Sequence, residues 1–175
     1  MRYTPLDITG ALILDPEPIV DSRGFFATMW SADEFLRLGM NPHLEQASLS
    51  FNARKGTVRG MHFQAEPHSE AKLVRCQVGA IFDVVLDLRR DSPTYRRWAG
   101  IMLSAENRRM LTIPEGCAHG FQTLTDGAEV FYLVSKAYAP ESARGVRWDD
   151  PAFAIAWPES VTCLSDRDRA HPDWE

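Results

Sequence analysis

The chain has few cysteines, no long apolar run and no excess of basic residues, and each shortage removes a class of protein. Cys76, Cys117 and Cys163 form no CxxC pair. An odd count without close spacing suits reduced thiols rather than a disulfide framework or a zinc ribbon. No stretch approaches the roughly 18 consecutive apolar residues of a membrane-spanning helix. The start, from Met1 to Asp7, lacks the apolar core and small-residue cleavage site of a secretory leader. A formal charge of -5 argues against nucleic acid or an anionic membrane as a partner, because both select clustered Lys and Arg. A small phosphorylated ligand needs only a few placed cations and stays open. Repeats, low-complexity tracts and Ser/Gly linkers are missing too. The expectation is a cytoplasmic protein with a single domain over residues 1–175, whose 45% hydrophobic content suffices for one core.

What is abundant is strand signal. Leu73–Val78 alternates apolar and polar residues, and Ile81–Leu88 is β-branched and apolar, with Gly79-Ala80 between them as a tight turn. Trp98–Leu103, Arg109–Ile113 and Glu129–Val134 continue the series. Pro, Gly, Asn and Asp punctuate at intervals of roughly 8–12 residues, the spacing of an antiparallel sandwich or barrel. Helix is scarce. Ser31 as N-cap, Glu34 at the capping-box position and Gly39 as C-cap predict one short helix. Ser104–Asn107 reads as a turn, and the tail beyond Pro158 as a turn or short helix folded back on the barrel. The fold class is all-β.

Two blocks carry chemistry. The first runs Gly56-Thr57-Val58-Arg59-Gly60-Met61-His62-Phe63-Gln64, with Lys72 eight residues further on; the second is Pro114-Glu115-Gly116-Cys117-Ala118-His119. Gly56 lies six before His62 and Lys72 seven before Gly79, so the pattern resembles the metal motifs of a cupin, a jelly-roll barrel. His62, Gln64, Lys72 and His119 take the four metal-holding positions. A divalent ion wants neutral imidazoles and carboxylates, and an ammonium among them repels it. No metal or other cofactor is therefore expected. A cation in a semi-apolar mouth instead stabilises negative charge developing on a substrate oxygen, and a neutral histidine removes a proton from carbon beside a carbonyl. The acid for the opposite face is Tyr132 or Tyr138, although Tyr132 on pattern alone reads as a core residue. Asp83 is expected to point inward onto a His or Lys, Asp87 to be a turn residue, and Cys117 a packing residue. The runs Arg89-Arg90-Asp91 and Glu106–Arg109, with His43, His68 and His171, read as surface.

With Asp21-Ser22-Arg23-Gly24-Phe25-Phe26, Lys72-Leu73-Val74-Arg75, Phe82–Arg89, Ser92-Pro93-Thr94, Leu103–Asn107, Ile113–Phe121 and Arg147–Pro151 added, the chain from about Asp21 to Pro172 resembles the dTDP-4-dehydrorhamnose 3,5-epimerases. The resemblance implies a metal-free homodimeric cupin acting on a nucleotide-linked 4-keto-6-deoxyhexose. By that resemblance His62 is the base, Asp168 orients it, Lys72 stabilises the enolate and Tyr132 returns the proton. Arg59 and His119 line the sugar–diphosphate pocket, Gln46 reaches the nucleotide side and Tyr138 clamps the base. Arg23 and Phe26 arrive from the neighbouring subunit. Departures fall on the nucleotide side: Thr28 and Ala143 replace glutamates, Gln46-Ala47-Ser48 replaces Gln-Asp-Asn, and Arg167 replaces a lysine. Ser48 and Arg167 are thus further substrate-binding candidates. The competing readings are a mono-epimerase, a metal-dependent cupin built on His62, Gln64 and His119, and a non-catalytic sugar-nucleotide sensor.

Overall fold

Residues that alternate in polarity make strands with two unlike faces. Among residues 1–174, which the computed structural model describes, these strands pair into two facing antiparallel sheets. In chain order they are β1 (Arg2–Pro5), β2 (Leu12–Asp15), β3 (Ile19–Asp21), β4 (Gly24–Phe26), β5 (Gln46–Asn52), β6 (Val58–Gln64) and β7 (Lys72–Val78). Then follow β8 (Ala80–Asp87), β9 (Trp98–Ser104), β10 (Met110–Ile113), β11 (Cys117–Thr123), β12 (Ala128–Val134) and β13 (Ala143–Gly145). One sheet is ordered β1-β2-β10-β7-β12-β5 and the other β13-β6-β11-β8-β9, while β3 and β4 form a separate hairpin. The all-β expectation holds, and the five strands read from the pattern lie within a residue or so of their observed ends.

The core fills the space between the sheets. Val74 and Cys76 of β7, Leu111 and Ile113 of β10 and Val130 of β12 meet Ile81 and Val85 of β8, Leu103 of β9 and Phe121 of β11. Burial of this kind is the main favourable term for folding. A second cluster covers the far face of the five-stranded sheet, where Val146, Phe153 and Ile155 pack on Met61, Val84, Leu86 and Ala118. Helix α1 (Ala32–Arg37) lays Phe35 against Leu14, Leu73 and Met110 on the far face of the other sheet.

Several expectations need correction. Ser31 does precede α1, but its hydroxyl makes no capping bond, and Glu34 instead takes the amino group of Met1. Asp87 is no turn residue: it ends β8 fully buried, and accepts from Arg89, Ser92 and Thr94. Those bonds outweigh the cost of burial and hold its carboxyl well below the usual range. Arg89 is accordingly a structural cation and not a solvated loop charge.

Glycine is required where β6 crosses β11. A Cβ on Gly60, whose φ is +130°, would stand 2.5 Å from the Cα of Gly120 and 2.9 Å from the His119 carbonyl. The missing side chains let the two backbones close up and set His62 opposite His119 in the ladder.

Candidate active site

The tail beyond Pro158 does fold back. Cys163 bridges to Thr57, and the Cys163 carbonyl accepts from the Val58 amide. This leads α2 (Asp166–Arg169) to the open end of β6, with Ser165 capping through a bond from the Asp168 amide. Asp168 thereby meets His62: its Oδ1 lies 2.6 Å from His62 Nε2, and its Oδ2 accepts from the Gly60 amide at 3.3 Å. Burial alone would raise this carboxyl, but the His62 bond and charge, with Gly60 and Ser165, hold it below its ordinary value. The ionised carboxylate fixes the proton on Nε2, which leaves Nδ1 with its lone pair. His62 remains 39% exposed while Asp168 is 4% exposed.

Lys72 begins β7 with its ammonium turned inward, 11% exposed. It donates to His62's own carbonyl at 3.4 Å and to Glu70 at 2.8 Å. Sequence reasoning missed Glu70, whose buried carboxylate aims the cation; an ammonium has three donors, so one stays available to the cavity. On the neighbouring strand, His119 Nε2 lies 2.7 Å from Asp83 Oδ1, as the inward reading of Asp83 predicts. Complete burial pushes Asp83 up, and the charges of His119 and Lys72 offset this only in part. The Tyr132 ring stands edge-on to His119, centroids 6.0 Å apart. Its hydroxyl is 3.1 Å from the Ser50 hydroxyl, and burial raises the phenol well above its usual value. Arg59 donates to Asn52 at 2.7 Å.

His62, Lys72, Tyr132, Asp168, Arg59 and His119 thus gather at one barrel mouth. Gln46 donates to Ser48 at 2.9 Å on the same face of β5, and Arg167 reaches the exposed Tyr138 hydroxyl at 3.5 Å. Arg23 and Phe26 stand apart, exposed on the β3–β4 hairpin, with Arg23 paired to Asp21. Ser50, Asn52 and Glu70 went unnoticed, although the polar set at 46, 48, 50 and 52 in period two was a readable signal for a lined face.

His171 is no surface residue. Its side chain is 14% exposed, its Nε2 is buried without a partner 4.0 Å from Asp168, and its ring stands edge-on to His62. Gly145 makes the room, since a Cβ there would lie 2.1 Å from that nitrogen. His68 is half-buried and bonds Ser142 at 3.0 Å.

The four positions at which a cupin holds its metal do not fit an ion here. Gln64 spends its amide on the His68 and Ala137 carbonyls and the Ala139 amide, and Lys72 brings positive charge. Cys117 is buried beside Asp87, and burial pushes its thiol up to about 12, so it packs rather than attacks.

The model for dTDP-4-dehydrorhamnose 3,5-epimerases matches residues 5–175. The chain belongs to this family. Its relatives include the Shigella flexneri dTDP-4-dehydrorhamnose 3,5-epimerase, 42% identical over 96% of this chain and 93% of that one. A Streptomyces niveus dTDP-4-dehydrorhamnose 3-epimerase is 44% identical over 97% of this chain and 82% of its own length. Among solved structures, the family's Bacillus anthracis enzyme with TDP and PPi bound superposes with a TM-score of 0.94 at 40% identity, covering 99% of both chains. The expected jelly-roll architecture is the family's. Among the described residues no helix is long and apolar enough to cross a membrane.

Proposed function

We propose that this protein inverts C3 and C5 of dTDP-4-dehydro-6-deoxy-D-glucose to give dTDP-4-dehydro-L-rhamnose, in the cytoplasm and without a cofactor. One observation carries the reading: a histidine locked at Nε2 by a buried carboxylate, with an inward ammonium bonded to that histidine's own carbonyl. His62 Nδ1 takes the proton from carbon beside the C4 ketone. The electron pair moves into the carbonyl, and the Lys72 ammonium stabilises the oxygen that becomes negative. Tyr132 gives its hydroxyl proton to the opposite face of the same carbon, and the centre is inverted. Arg59 and His119 line the sugar–diphosphate pocket. Gln46, Ser48, Tyr138 and Arg167 form the nucleotide end, where an aromatic face and a guanidinium suit a base and a phosphate.

The whole span 1–175 acts as one unit and pairs with a second copy. Ile19, Val20 and Phe26 of the hairpin, beside Met1, and Leu49 and Phe51 on the outward face of β5, at the far end of the strand order from β1, are all more than half exposed. These are two separate apolar surfaces that would be covered in an interface joining the hairpin of one copy to β5 of the other. Pairing through it carries Arg23 and Phe26 to the partner's nucleotide end. Phe51→Glu is expected to give monomers in light scattering.

Incubation with dTDP-4-keto-6-deoxyglucose in heavy water is expected to place deuterium at C3 and C5. No incorporation at either carbon sinks the proposal. The second reading, inversion of a single centre, draws on the 44% identity to a 3-epimerase, and deuterium at one carbon alone supports it.

A further inference from the structure

Inversion of two centres in one binding event poses a problem that the inversion of one does not. After the first proton delivery Tyr132 is a phenolate, and it cannot serve the second carbon until it regains a proton. Its hydroxyl is half-enclosed in the barrel, with the His119 ring against its own, and its hydrogen-bond partner is Ser50 Oγ at 3.1 Å. Ser50 belongs to β5, the edge strand of its sheet at the barrel mouth, and is itself only partly buried. Behind it, Asn52 Nδ2 donates to Ser50 Oγ at 3.4 Å and to the Ala128 carbonyl at 3.1 Å, while its Oδ1 accepts from Arg59. The asparagine is thereby fixed with its amino group toward the serine. One lone pair of Ser50 is already taken, and its O–H proton is free to turn to Tyr132.

We infer that Ser50 returns the proton to Tyr132 between successive inversions, and so decides whether a bound sugar leaves singly or doubly inverted. The inference rests on the proposed epimerase function and adds a positioning residue to it. After one inversion His62 holds the proton taken from carbon. The Ser50 O–H bond breaks toward the phenolate, a Tyr132 O–H bond forms, and the serine oxygen takes a proton from water at the mouth. The hydroxide left behind is neutralised by the proton that His62 releases, so the site returns to its starting state. The Arg59–Asn52 bond ties this relay to a residue of the sugar–diphosphate pocket, which keeps it ordered while substrate is held.

The test is the ratio of singly to doubly inverted product from dTDP-4-keto-6-deoxyglucose in heavy water, for the wild-type protein, Ser50→Ala and Ser50→Thr. General acid–base groups contribute about 10²–10⁴ in rate, and Ser50→Ala is expected to forfeit part of this, raising the ratio about tenfold. Loss of the first carbon-bound proton should be unchanged. Ser50→Thr, which keeps the hydroxyl, should restore the wild-type ratio. Imidazolium buffer should lower the ratio for Ser50→Ala with rising concentration and leave the wild type unmoved, which a serine that merely places the ring does not predict. A wild-type ratio in Ser50→Ala, or a raised ratio that neither threonine nor buffer corrects, overturns the relay. So does a wild-type protein that exchanges but inverts one centre only. A wild-type protein with no incorporation at all defeats the epimerase reading itself, and the two failures are distinct.

Discussion

Two histidine–carboxylate pairs have their imidazoles on adjacent strands of one sheet, β6 and β11, and are nearly equal in length and opposite in character. His62–Asp168 spans 2.6 Å and His119–Asp83 spans 2.7 Å. Asp168 collects donors from His62 and the Gly60 amide on its two oxygens, and its carboxyl is held below the ordinary value. Asp83 has one donor, its Oδ2 is buried without a partner, and its carboxyl is pushed up. Desolvation and hydrogen bonding to the charged form act in opposite directions: complete burial prevails at Asp83, and the donors prevail at the less deeply desolvated Asp168. Exposure separates the histidines too: 39% for His62 against 6% for His119. A residue that must receive a proton from a ligand needs to be reachable, and only the first is. The difference marks His62 as the proposed base and His119 as a fixed wall of the pocket.

The largest expected effect breaks the first pair. His62→Ala should remove deuterium exchange, a loss at or beyond the about 10²–10⁴ of a general base, with dTDP affinity held within a few-fold by calorimetry. Lys72→Ala should lower the rate by about 10²–10³, the usual consequence of losing one oxyanion donor, measured by single-turnover kinetics. Tyr132→Phe should slow formation of inverted product more than proton washout, because abstraction precedes delivery. The comparison sharpens when the two carboxylates are changed in parallel. Asp168→Asn should cost exchange rate and also lower the melting temperature, because the ionised carboxylate stabilises the fold at neutral pH. Asp83→Asn, by contrast, should change stability, by about 1–3 kcal/mol, with little change in exchange. Equal effects of the two on exchange would erase the distinction.

The smallest effect is one of pH. Asp168 has a folded pKa below its unfolded one, so its contribution to stability is complete above about 3.9. That contribution is lost as pH falls through the folded value. Urea titrations between about pH 6 and pH 3 should therefore show a shallower acid decline for Asp168→Asn than for wild type. Asp83 has the opposite sign, and Asp83→Asn should not make the decline shallower.

Much of this was readable in the chain. The strand pattern places β7 to β10 and β12, and the spacing of His62, Lys72 and His119 marks the barrel mouth, because period-two alternation and turn residues are local properties. His171 was not readable: a lone histidine near the end of a polar tail gives no local sign that Gly145, far away in sequence, leaves a niche for it. Ser50 and Asn52 were missed for a different reason. Their alternation runs inverted, with polar residues turned inward and Leu49 and Phe51 turned out, so a search for apolar inward faces passes over them. Asp87 read as a turn residue because its partners, Arg89, Ser92 and Thr94, converge only when the loop closes.

The amino-acid order alone determined the class of fold, the ammonium among would-be metal ligands and the family to which the chain belongs. These depend on residue identity and short spacing. Only the folded chain decided which nitrogen of His62 is free, which carboxyl is held below its ordinary value and which is pushed above it, and what Tyr132 touches. Each of those depends on donors brought together across long stretches of sequence, and on how much water is left around them.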